Sequence, residues 1–120
     1  MSRIRIVLAA AVGALVAAAP TTAGPTMSPA KLTGTVGPGF TITLKKGGAR
    51  VRTLKAGRYT FIVSDKSNIH DFRLKGAMRR TITTVGFTGT KSVTLTLRKG
   101  SYTYFCAPHP TQMKGTFRVT

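Results

Sequence analysis

Past residue 30 the chain predicts an all-β domain, an antiparallel two-sheet sandwich of about seven to eight short strands. Apolar and polar residues alternate there over short runs, the mark of half-buried strands. Gly and Pro punctuate those runs at close spacing, and hardly any segment sustains a helical periodicity.

Leu32 to Val36 is the first candidate strand, ended by Gly37-Pro38-Gly39. Phe40, Ile42 and Leu44 alternate with threonines up to the turn signal Lys45-Lys46-Gly47-Gly48. Arg50-Val51-Arg52 is short, with its arginines opposite Val51. Tyr59, Phe61 and Val63 mark a clear strand, and Ile69 to Leu74 another. Lys75 to Gly89 is the least regular stretch, equally compatible with a helical turn and a sheet-crossing loop. Val93, Leu95 and Leu97 alternate into a turn at Lys99-Gly100. Tyr102, Tyr104 and Cys106 then share one face, and Phe117 and Val119 close the chain.

The N-terminus reads as an export signal. Arg3 and Arg5 give a basic start, and the apolar run Ile6 to Ala19 is too short to cross ~30 Å of hydrocarbon at ~1.5 Å per residue. Thr21-Thr22-Ala23 supplies the small residues of a cleavage site. The expected organisation is therefore a signal peptide over residues 1–23, a Pro-punctuated flexible lead-in over 24–30, and one domain over 31–120. A periplasmic or extracellular location follows from that expectation.

Charge is extreme. Nineteen Lys and Arg face only Asp65 and Asp71, for a net +17, of which Arg3 and Arg5 contribute two. Such a field steers the domain toward acidic partners and toward anionic polymers or lipids. The arginines at 50, 52, 73, 98 and 118 fall out of phase with apolar neighbours and so point to solvent. With no Trp, and with aromatics alternating inward, a stacking platform for nucleic acid is disfavoured.

The chemistry concentrates in Tyr104-Phe105-Cys106-Ala107-Pro108-His109-Pro110-Thr111-Gln112-Met113, which holds the chain's one cysteine. A lone Cys in an exported chain has no internal disulfide to make and points to a metal or a reactive thiol. The second histidine of the chain is His70. One thiolate, two imidazoles and one thioether are the donor set of a mononuclear blue-copper site, a His₂Cys plane with a weak axial Met. Zinc prefers four strong donors, and a thioether is a poor one. Met27 and Met78 lie in a tail and a loop and are read as non-ligands.

The segment Gly100 to Val119 closely resembles the C-terminal copper loop of small cupredoxins, the group of plastocyanin, amicyanin and pseudoazurin. Asn68-Ile69-His70-Asp71-Phe72 is similar to that family's upstream histidine strand. The resemblance implies a Greek-key β-sandwich binding one copper ion that cycles between Cu(I) and Cu(II). It implies His70, Cys106 and His109 as strong ligands, Met113 as the axial one, and Tyr102 as a tyrosine that pins the preceding loop. Position 71 is often Asn in the family, and an Asp there places a carboxylate near the metal, favouring Cu(II). Its backbone N–H remains able to donate to the Cys106 sulfur, whereas Pro108 has no N–H to offer.

The function so implied is a monomeric one-electron carrier without substrate chemistry, exchanging electrons at His109 with an acidic redox protein. Two other readings stand beside it: a copper storage or delivery protein, and a basic polyanion-binding envelope module. A copper oxidase or nitrite reductase would need several more histidines.

Overall fold

The computed structural model describes Gly13 and residues 28–120; the expected signal peptide and most of the lead-in lie outside the described residues. Ten strands follow one another: β1 (Ala30–Val36), β2 (Ile42–Lys46), β3 (Ala49–Arg50), β4 (Thr53–Leu54), β5 (Gly57–Asp65), β6 (Phe72–Gly76), β7 (Arg80–Thr83), β8 (Gly89–Leu97), β9 (Gly100–Phe105) and β10 (Lys114–Val119). They form two five-stranded sheets, in the orders β3-β2-β1-β5-β8 and β4-β10-β9-β6-β7. The expected sandwich is present. The strand count exceeds the expected seven to eight because the short segment at Arg50-Val51-Arg52 gives way to two two-residue pairings, β3 and β4, on either side of Val51 and Arg52, and because a further strand forms after Lys75. The undecided stretch after Lys75 contains β7, paired with β6 across an irregular register. Most pairings are antiparallel, but β1 runs parallel to β5 and β10 parallel to β4.

Strand alternation builds the core. Tyr59, Phe61, Val63 and Asp65 are the buried positions of β5, and Gly115, Phe117 and Val119 those of β10. Leu32, Leu44, Phe61 and Leu97 meet Leu74, Tyr102, Tyr104 and Phe117 between the sheets. Tyr102 and Phe117 stack with centroids 5.2 Å apart, and Phe72 stacks on Tyr104 at 5.9 Å. The Tyr102 hydroxyl donates to the Arg98 carbonyl at 2.7 Å, which pins the β8–β9 turn. Tyr59 makes the same kind of bond to the Lys55 carbonyl at 2.6 Å.

Phe40 departs from its expected place. Its alternation with Ile42 and Leu44 suggested a core strand, yet β2 starts at Ile42 and Phe40 is 55% exposed. The reason is the turn before it. Gly37 adopts φ 72°, and its Cβ-less backbone passes within 2.9 Å (measured from an ideal Cβ) of the Ser67 side chain, so the chain bends there until residue 41.

Gly115 shows how tightly neighbouring strands of one sheet pack, since it stands opposite Tyr104 on the β9–β10 ladder. A Cβ at that position would run into the Tyr104 ring and hydroxyl. Gly115→Ala is expected to destabilise the domain by ~1–3 kcal/mol through overpacking. Gly39→Ala, where no atom lies within 4 Å, is expected to be nearly neutral. Paired thermal melts of the two variants check this.

Candidate metal centre

One end of the sandwich gathers four connections: 37–41, 66–71, 84–88 and 106–113. Cys106 directly follows β9 and continues its inward alternation after Tyr102 and Tyr104, so the thiol is fully buried. The loop beyond it is closed by its own backbone. His109 N–H donates to the Cys106 carbonyl at 3.1 Å, Met113 N–H to the His109 carbonyl at 2.9 Å, and Cys106 N–H to the Met113 carbonyl at 3.0 Å. These bonds hold a loop that contains two prolines in one shape.

His70 comes from the other side. The sequence reading placed it inside a strand from Ile69 to Leu74, but β6 begins at Phe72, and His70 sits in the turn before it. That turn is organised by the Asp65 carboxylate, which accepts from Ser67 N–H at 3.1 Å. His70 is fully buried as a result.

The Nδ1 atoms of His70 and His109 lie 3.1 Å apart, and the Cys106 Sγ lies 3.7 Å from the first and 3.8 Å from the second. The circle through these three atoms has a radius of about 2.1 Å, within the ~2.0–2.3 Å range of imidazole and thiolate bonds to a metal such as zinc. The residues fit a trigonally held ion. For both Nδ1 lone pairs to face it, each ring must carry its proton on Nε2. The His70 Nε2 is buried without a hydrogen-bond partner among the described residues, so its ring is oriented by packing and by the donor cluster itself.

Burial raises the Cys106 thiol pKa above its ordinary value. The backbone N–H groups of Asp71 and His109 pull it down, and the Asp71 carboxylate pushes it up again.

Asp71 does more than sit near the site. One carboxylate oxygen accepts from Ala107 N–H at 2.7 Å, and the other is paired with Arg73 Nε at 2.7 Å. The carboxylate therefore ties the ligand loop to the His70 segment. Its charge is offset by a half-exposed guanidinium, which weakens the bias toward Cu(II) expected from a free carboxylate.

Phe40 is the site residue that sequence reasoning missed. Its ring lies edge-on to both histidines, with centroids 5.4 Å from His70 and 4.9 Å from His109. The available signal was the Gly37-Pro38-Gly39 turn, which runs straight up to Phe40 and leaves it no ladder to join. Met113, the fourth residue of the expected ligand set, is fully buried and closes the loop through its backbone.

The model of the copper binding proteins of the plastocyanin/azurin family matches residues 33–120. Among solved structures, the chain is similar to auracyanin A, a "blue" copper protein from Chloroflexus aurantiacus. That match has 19% identity and a TM-score of 0.56, covering 78% of this chain and all of the other. It is similar also to the copper protein rusticyanin, at 19% identity and a TM-score of 0.52, over 75% of this chain and 76% of that one. At these identities the likeness concerns the fold. No curated protein sequence matches at a significant level.

Two outcomes follow from the site. With its thiol pKa raised, metal-free Cys106 keeps its proton at neutral pH, and binding a metal must displace it. Copper affinity measured by competition with a chelator is expected to climb with pH, up to about tenfold per unit, as long as the pH stays below the raised pKa of the thiol. Asp71→Ala, which removes the tie to Ala107, is expected to weaken copper binding ~10–100-fold. Asp71→Asn keeps an acceptor oxygen for Ala107 and is expected to retain most of the affinity in the same assay.

Proposed function

The chain belongs to the plastocyanin/azurin family of copper-binding proteins, and we propose that within it this protein is an exported one-electron carrier, with Met113 as the axial ligand completing the set of His70, Cys106 and His109. One observation carries this reading. Phe40, Ile69 and Val85, the three large apolar side chains exposed among the described residues, all belong to the connections around the metal site. The 84–88 connection is held beside Asn68 by the Gly86 N–H bond to its carbonyl at 3.0 Å. Ala107, Pro108 and Pro110 adjoin His109, which is partly exposed while His70 and Cys106 are buried. The only ligand edge open to a partner is thus framed by apolar surface on a molecule that is otherwise cationic.

Copper held there supplies a Cu(I)/Cu(II) couple. The protein's part is to keep that couple inexpensive to cycle and reachable. Cys106 offers its sulfur from a buried strand end, and the Asp71 and His109 N–H groups withdraw charge from that sulfur. The loop bonds and the Asp71 tie hold the donors at one spacing, so little rearranges with oxidation state. His109 brings its ring to the surface under Phe40, and the apolar frame lets a partner approach with little polar desolvation.

Burial of the sulfur and of His70 also argues against storage or delivery, where ligands must be reached for exchange. Both histidines are already used in the one site, leaving none for the second centre of a copper enzyme. The basic surface points to an acidic redox partner, with charge governing encounter. Export rests on the signal-like residues 1–23. Among the described residues, no helix is long and apolar enough to cross a membrane.

Stopped-flow mixing of the reduced protein with an acidic redox protein tests this. Electron exchange is expected to be fast at low salt and to slow as the Debye length falls from ~30 to ~8 Å. Cys106→Ser, with every cation in place, is expected to abolish it. Slow exchange at every salt concentration contradicts the carrier reading. Met113→Leu is expected to keep the colour of the copper protein and to raise its reduction potential, because loss of a weak donor costs Cu(II) more than Cu(I). An unchanged potential by voltammetry would show that Met113 only packs.

A further inference from the structure

Far from the metal, the outer face of the second sheet carries a cleft of about 570 Å³ whose polar lining contains no acid. Arg50, Arg52 and Arg118 line it together with the hydroxyls of Ser101, Thr103 and Thr116. The register explains the convergence. Ser101 stands opposite Arg118 and Thr103 opposite Thr116 on the β9–β10 ladder, and all four belong to the outward set, opposite in phase to the buried Tyr102, Phe117 and Val119. Arg118 N–H donates to the Arg52 carbonyl at 2.9 Å, which lays the segment carrying Arg50 and Arg52 along the edge of that floor.

Three guanidinium groups therefore share one cleft without a counter-ion. Both aspartates are buried elsewhere, and the one side-chain ion pair among the described residues is Arg73 with Asp71. Like charges brought together raise the energy of the empty cleft, and an anion relieves it. A carboxylate has two oxygens and is satisfied by one guanidinium fork, whereas a tetrahedral oxyanion of charge two or more can accept from several forks and from hydroxyls at once.

We propose that this cleft is a binding site for a phosphate group carrying two or more negative charges, as in a phosphomonoester or a pyrophosphate. The site is independent of the metal. Ser101 lies at the far end of β9 from Cys106, roughly 17 Å away at about 3.4 Å per residue. A phosphate seated there leaves the apolar frame around His109 uncovered, so the protein can be held at a phosphate-bearing surface or polymer with its metal end free.

The test is calorimetry with inorganic pyrophosphate at fixed ionic strength, on metal-free and copper-loaded protein. The doubly substituted R52Q/R118Q protein is compared with K31Q/K91Q, which loses the same charge from exposed positions on the other sheet. Saturable one-to-one binding is expected in both metal states, weakened at least tenfold in R52Q/R118Q and less than twofold in K31Q/K91Q. R50Q alone gives an independent check, expected to weaken binding severalfold, with circular dichroism confirming that each variant is folded. Equal weakening in the two double variants, or no saturable binding, overturns the proposal in favour of a diffuse cationic field. Vesicles containing phosphatidic acid distinguish the source of the phosphate. Vesicle binding that pyrophosphate displaces and that R52Q/R118Q selectively loses assigns a lipid headgroup. Vesicle binding equal in the two double variants, alongside selective loss of pyrophosphate, assigns a soluble or polymeric phosphate.

Discussion

The metal site depends on one buried carboxylate. Asp71 reaches from the segment beside His70 to the N–H of Ala107, beside Cys106, while its other oxygen is held by Arg73. Without that bond, the two halves of the donor set belong to different connections, joined through the core and through the β6–β9 ladder that begins at Arg73 and Phe105. The bond is charge-assisted and its carboxylate is buried, a setting that strengthens a hydrogen bond. The guanidinium makes the burial tolerable, since an uncompensated carboxylate at that depth would be costly. The same group also bears on the chemistry, because its N–H and its charge act in opposite directions on the Cys106 sulfur.

Around that tie the molecule divides its surface by task. The cations lie on the strands and on the connections at the other end, with Lys66 alone among the four connections around the donors, whereas the loop end carries the exposed apolar side chains Phe40, Ile69 and Val85. The two aspartates serve internal structure, Asp65 in shaping the turn before His70 and Asp71 in binding the ligand loop. No carboxylate is left to moderate the external field. Long-range attraction and short-range contact are consequently separable, the first set by the sheets and the second by the end that holds the donors.

How much of this was legible in the sequence depended on how local each feature is. Cys106, His109 and Met113 fall within one short loop whose spacing carries the chemistry, and the structure closes that loop on itself through backbone bonds. His70 was legible as the one histidine left to join them, although its position in a turn and not in a strand was not. Phe40 was misread because side-chain alternation persisted through it, while the glycine-directed bend at residue 37 had already taken the backbone out of the ladder. The parallel pairings of β1 with β5 and β10 with β4 are long-range and leave no trace in local periodicity. The partnership of Asp71 with Ala107 and Arg73 was equally hidden, since it depends on where two distant segments meet.

The function turns on whether His70, Cys106 and His109 together bind copper through a Cys106 thiolate. The most direct measurement is the visible and electron paramagnetic resonance spectrum of the purified protein titrated with Cu(II), alongside Cys106→Ser. An intense sulfur-to-copper charge-transfer band that saturates at one equivalent, with a narrow copper hyperfine splitting, is expected, both lost in the variant. A colourless one-to-one complex with an ordinary tetragonal Cu(II) spectrum, unchanged by the substitution, would contradict it.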